Sequence, residues 1–185
     1  MSAYFDPKII EAIKGCYLII DTNILTSCAS NEEYFHSFLE IFKNNSFLID
    51  PIVKLEFLRG ASGKIFEEKN KFLEFDQFTA MIDHYDLYKK VYANTFKIAE
   101  IYANHGNSNI PLGDLLIVSR LMLYGNNYLF LTLDKSDFST VLFDRIGIIS
   151  LERTTNNKTY KRDIIDHISI LRFNNEKYER MISKK

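Results

Sequence analysis

Tryptophan is absent from the chain, cysteine occurs only twice and proline three times in 185 residues. Cys16 and Cys28 form no CxxC pair, and no Cys/His cluster has the spacing of a zinc site. Two cysteines argue against a disulfide scaffold and point to a reducing cytoplasm. The N-terminus lacks the long apolar stretch of a secretory signal. No apolar run approaches the roughly 20 residues that span a bilayer, so no membrane partner is expected. No repeat, low-complexity tract or long linker interrupts the chain. A nucleotide-binding P-loop is missing as well.

Charge of either sign is also nearly absent in excess, with a net of −1. Its distribution is uneven: residues 152–185 hold nine Lys/Arg and five Asp/Glu, a net of +4, leaving −5 elsewhere. The basic end faces something anionic or forms a solvated surface. Length fits one domain, and 46% apolar with 25% charged residues is ordinary for a globular protein.

What is present is apolar segments punctuated by acids. Residues 6–14 read as a short helix capped by Asp6, with Pro7 in its first turn and Gly15 as its stop. The continuous run Tyr17–Ile20, ending at Asp21, suits a central parallel strand. Residues 31–44 form an amphipathic helix pattern, and Phe47–Ile49 a second strand. Asp50-Pro51 opens a helix that stops near Gly60. Residues 64–104 read as two or three helices. In them Tyr85, Tyr88, Tyr92 and Phe96 recur at helical spacing, a stripe expected in the core rather than as a nucleic-acid platform. A loop over 105–109 precedes an apolar helix, Pro111–Tyr124, stopped by Gly125. A third strand is expected at Tyr128–Thr132. A fourth, Ile146–Leu151, is reached through a short helix around Ser139–Arg145. This alternation implies a three-layer α/β/α fold with a central, mainly parallel sheet plus extra helices. Ligands in such folds bind at the carboxyl ends of the strands.

Four acids stand at or near element ends. Asp21 opens Asp21-Thr22-Asn23, and Glu56 lies within the apolar Ile52–Leu58. Asp114 heads Leu115-Leu116-Ile117-Val118, and Asp134 follows the third strand, with Asp137 close behind. Each has an ordinary explanation. Asp21 suits a helix cap, Glu56 a pairing with Arg59 three residues on, Asp114 the positive end of a helix, and Asp134 or Asp137 a turn. Together, buried carboxylates of this kind are costly unless paired, protonated or metal-bound.

The ordered set resembles a PIN domain, the fold of many metal-dependent ribonucleases and of VapC-type toxins. The matching stretches are Asp21-Thr22-Asn23, Leu55-Glu56-Phe57-Leu58-Arg59-Gly60, Pro111-Leu112-Gly113-Asp114-Leu115-Leu116-Ile117-Val118 and Thr132-Leu133-Asp134-Lys135-Ser136-Asp137-Phe138. The resemblance covers about residues 16–151 of a single PIN-like domain over 1–185. Residues 64–104 and the C-terminal extension, 152–185, are elaborations on it. It implies an endoribonuclease using Mg²⁺ or Mn²⁺, which suits hard oxygen ligands without Cys or His. By that resemblance Asp21, Asp114, Asp134 and Glu56 would be the catalytic and metal-binding residues, with Asp137 as an auxiliary or alternative ligand. Asn23 and Thr132 would hydrogen-bond a metal-bound water, a ligand carboxylate or the substrate. Arg153, Lys158, Lys161 and Arg162 would contact RNA phosphates, with Lys135 and Arg120 as further candidates. Single-stranded RNA or tRNA, an antitoxin protein and a homodimer are the implied partners. The competing readings are a non-catalytic RNA- or protein-binding module and a flap-type DNA nuclease. An aspartyl phosphatase would need an Asp where Asn23 stands.

Overall fold

The first structured residues show how this chain begins its elements. In the computed structural model, which describes residues 2–82, 84–134, 136–156 and 161–183 (backbone alone over 154–156 and 161–163), a short strand β1 (Ala3–Tyr4) leads into α1 (Pro7–Ile13). Asp6 caps α1 by accepting a hydrogen bond from Lys8 N, and Pro7 occupies a first-turn position where no amide partner is needed. Then follow β2 (Tyr17–Ile20), α2 (Thr22–Ser30) and α3 (Glu32–Ile41), the last two joined at Asn31, which caps α3 through Tyr34 N. The sequence pattern showed only the second of these helices. Strand β3 (Ser46–Ile49) ends at Asp50, which caps α4 (Pro51–Leu58) through Ile52 N at 2.8 Å.

Two helices and an unforeseen strand fill the next stretch: α5 (Gly63–Leu73), β4 (Phe78–Ala80) and the 20-residue α6 (Tyr85–Asn104). Helix α6 buries Val91, Thr95, Ile98, Ile101 and Tyr102. The stripe of Tyr85, Tyr88, Tyr92 and Phe96 flanks that buried face and is exposed, which corrects the core placement expected for it. Both faces of α6 are apolar, so periodicity alone does not tell which one packs. Helix α7 (Leu112–Tyr124) and β5 (Tyr128–Thr132) follow as expected.

The chain then departs from expectation again. Ser139 O accepts from the amides of Leu142 and Phe143, so a single turn stands where a short helix was expected over 139–145. Strand β6 (Phe143–Asn156) absorbs the expected fourth strand, and β7 (Lys161–Phe173) returns beside it before the final helix α8 (Asn175–Ile182). The signal for β7 was the β-branched run Ile164-Ile165, Ile168 and Ile170.

The seven strands among the described residues form one sheet in the order β1-β6-β7-β5-β2-β3-β4. Strands β5, β2, β3 and β4 are mutually parallel, while β7, β6 and β1 join antiparallel, so the sheet is mixed, parallel in its core and antiparallel on one side. Strand β7, placed by sequence in the C-terminal extension, lies inside the sheet between β5 and β6. Leu18, Ile19, Ile20, Leu129, Phe130 and Leu131 of the two central strands are buried. Such near-continuous apolar runs mark strands covered on both faces. Thr132 at the end of β5 pairs with Ser169, so residues 161–168 of β7 run on past the carboxyl end of β5. Among the described residues no helix is long and apolar enough to cross a membrane.

Candidate active site

Register builds the centre of the site. Strands β2 and β5 pair Ile20 with Leu131, and Asp21 N donates to Leu131 O at 2.9 Å, which sets Asp21 beside Thr132 at the carboxyl edge of the sheet. Asp21 caps α2 through Thr22 N at 2.7 Å. Its other oxygen accepts hydrogen bonds from Asn23 Nδ2 at 2.8 Å and from Thr132 Oγ1. Asn23 Oδ1 in turn accepts from Leu133 N at 3.1 Å, which ties the start of α2 to the end of β5. Asp21 is thus both the cap and a site residue: the two explanations describe one geometry.

The remaining acids come from three other elements. Glu56, on α4, accepts a hydrogen bond from Thr22 Oγ1 at 3.0 Å and makes no ion pair with Arg59. Asp114 sits in the first turn of α7. Asp134 Oδ1 accepts from Ser136 N at 2.6 Å and Asp137 N at 3.2 Å, a turn closed by its own side chain. Asp21, Glu56, Asp114 and Asp134 line a single cleft of about 340 Å³, together with Thr22, Asn23, Arg59, Pro111 and Phe138. Asp137 does not line it, although its charge is felt at Asp114.

The electrostatics follow from crowding. Burial pushes Asp21 up to about 6, with Glu56 and Asp134 adding to the effect and the bonds from Thr132 and Thr22 opposing it. Burial, followed by repulsion from Asp21, Asp137, Glu56 and Asp134, pushes Asp114 up to about 7. At Asp134 burial works against the charge, but the hydrogen bonds from Ser136 and Asp137 outweigh it and hold this carboxyl below its ordinary value. Among the described residues, no Lys or Arg forms an ion pair with any of the four cleft acids.

The donor set is entirely oxygen, the chemistry of a hard divalent cation. Its geometry is open: among the described residues no group of three His, Cys, Asp or Glu is drawn together closely enough to hold one ion. Asp21, Glu56 and Asp134 are instead each held by protein hydrogen-bond donors.

The expected substrate contacts are placed differently. Thr132 is fully buried and its hydroxyl is shared among Asp21, Asn23 and Asp134 N, so it stands behind the site and holds Asp21. Arg120 is buried too, with Nε 2.6 Å from Asp50 Oδ2, and does not line the cleft. Arg153 pairs with Asp166 at 2.6 Å across the β6–β7 hairpin. Lys161 and Arg162 lie on the part of β7 that runs past β5, and Lys158 and Lys135 fall outside the described residues. In the sequence Arg59 stands out only as a partner for Glu56. Among the described residues it is the one basic side chain lining the cleft, and its signal was its place one turn after Glu56.

No family model matches the chain, and no curated protein matches it. Among solved structures the chain is similar to the crystal structure of VapBC2 from Rickettsia felis bound to a DNA fragment from their promoter, at 22% identity over 58% of this chain and 82% of that one, with a TM-score of 0.48.

Proposed function

We propose that the protein is a metal-dependent endoribonuclease with a PIN-like, three-layer arrangement. The observation that carries this reading is that four carboxylates from four separate elements line one cleft at the carboxyl edge of the parallel strands, with no ion pair to a basic side chain among the described residues. Asp21, Asp114, Asp134 and Glu56 would hold Mg²⁺ or Mn²⁺. That ion would stabilise the negative charge that builds on the phosphodiester. The role of toxin in a toxin–antitoxin pair, with an antitoxin covering the acidic cleft, follows from the sequence resemblance alone.

The chain's own residues supply the rest. Thr132, Asn23 and Thr22 N fix the Asp21 carboxylate before any ligand arrives, so little is lost in ordering it. Glu56, held by Thr22 Oγ1, also orients the attacking water. Arg59 at the cleft wall gives the substrate phosphate its cationic contact.

A second reading, a non-catalytic RNA- or protein-binding module, is favoured by the open arrangement of the acids. Purified protein incubated with single-stranded RNA, tRNA and single-stranded DNA separates the two, in Mg²⁺, Mn²⁺ or EDTA and beside Asp21→Asn. Metal-dependent RNA cleavage that falls by at least about 100-fold in Asp21→Asn is expected. Metal binding without cleavage of any RNA in the panel would favour the binding module.

A further inference from the structure

Gly113 is the second residue of α7, one position before Asp114, and it is not among the glycines of positive φ. Its backbone therefore suits any residue, and alanine would be the better helix former there. What occupies the missing side chain's place is Glu56. A Cβ on residue 113 would stand 3.2 Å from Glu56 Cδ, with Oε1 closer still. The other carboxylate oxygen, Oε2, accepts from Thr22 Oγ1 at 3.0 Å. The Glu56 carboxylate thus bridges the first turn of α2 and the first turn of α7, the two turns next to Asp21 and Asp114.

We infer that Gly113 is a positioning residue. Its bare Cα lets the Glu56 carboxylate seat between the two helix starts, at a set position relative to Asp21 and Asp114. The inference rests on the nuclease reading for what Glu56 does, but not for where Glu56 sits. Alanine at residue 113 would not break the helix. It would press on Oε1 and swing the carboxylate out of its seat, because the far end of a glutamate yields more easily than a helix backbone. A misplacement of about 1 Å costs up to about 100-fold in rate.

The test is a double-mutant cycle of Gly113→Ala and Glu56→Ala, read by Mn²⁺ affinity from electron paramagnetic resonance, by RNA cleavage and by thermal melting. Gly113→Ala is expected to melt at or above the wild-type temperature while binding Mn²⁺ about tenfold more weakly and cleaving about tenfold or more slowly. In the Glu56→Ala background the same substitution should change affinity and rate by no more than about twofold, since the group it displaces is gone. An equal loss in both backgrounds would overturn the inference, as would wild-type affinity and rate in Gly113→Ala. Wild-type protein that binds Mn²⁺ but cleaves nothing would sink the nuclease reading alone, with the affinity cycle still deciding the role of Gly113. Wild-type protein that does not bind Mn²⁺ would sink both.

Discussion

Thr132 Oγ1 donates a hydrogen bond to Asp21 Oδ2 and accepts one from Asp134 N at 2.9 Å, so one buried hydroxyl joins two of the cleft acids. Asn23 Nδ2 also reaches it, at 3.3 Å, which uses the donor and both acceptor sites of the hydroxyl. Thr132→Val keeps the shape and removes all three bonds. The buried groups left without partners should cost about 1–3 kcal/mol, measured by urea unfolding. Asp21 should also titrate higher still, because the Thr132 bond is one of the two that lower it. Carbon-13 NMR titration of the Asp21 carboxyl would check this, and an unchanged or lowered titration point would refute it.

The pushed-up acids make the metal-free protein lose stability as pH rises. Asp21 at about 6 and Asp114 at about 7 both lie above the unfolded value of about 4. The folded state therefore binds more protons in that window, and the two acids remove stability from about pH 4 up to about pH 7, with no further change above it. Asp134 acts oppositely: its lowered value contributes stability that is lost as pH falls through its folded titration point. Melting temperatures in EDTA should decline across this window, and the decline should shrink in Asp114→Asn. Saturating Mn²⁺ should offset the decline by binding the charged form. The same slope in wild type and Asp114→Asn would remove Asp114 as its source.

The parts of this architecture legible in sequence were those with local causes. The run Tyr17–Ile20 ends where Asp21 caps the next helix, and both features are neighbours in the chain. Asp50-Pro51 announces α4 for the same reason. What escaped was settled at long range. Glu56 was given Arg59 as a partner at helical spacing, yet its hydrogen bond comes from Thr22 on another helix. Residues 152–185 look like a basic extension by charge, while the alternating Ile168 and Ile170, buried in the sheet, are what place β7 between β5 and β6. On α6 the aromatic face competes with Val91, Ile98 and Ile101 for the core, and only packing against α7 decides between them. Ser139–Arg145 has one helix-like turn, but pairing of Phe143 with Phe173 extends it as strand.

Arg59 should govern substrate capture more than chemistry. It lines the cleft from the end of α4 and is exposed, so its guanidinium can meet a phosphate without crossing the buried acids. Arg59→Ala is expected to raise KM by about 10- to 150-fold, the equivalent of a charge-assisted hydrogen bond of about 1.5–3 kcal/mol, with kcat little changed. Its KM should also lose part of its salt dependence. A fall in kcat at constant KM would instead place Arg59 on the transition state.

The buried pair of Arg120 and Asp50 supports the site from beneath. Arg120 Nε lies 2.6 Å from Asp50 Oδ2, which also accepts from Tyr124 Oη at 2.8 Å, while Asp50 Oδ1 caps α4. The pair therefore links α7, which carries Asp114, to α4, which carries Glu56. Both side chains are about 1% exposed, so removing one strands the other's charge in the interior. Arg120→Ala should cost about 3–5 kcal/mol, whereas Tyr124→Phe, which removes one hydrogen bond and leaves the pair, should cost about 1 kcal/mol. Urea unfolding of the two variants gives the comparison. If Arg120→Ala proved as mild as Tyr124→Phe, the pair would not be what joins the two helices, and the relative placement of Asp114 and Glu56 would have to rest on apolar packing alone.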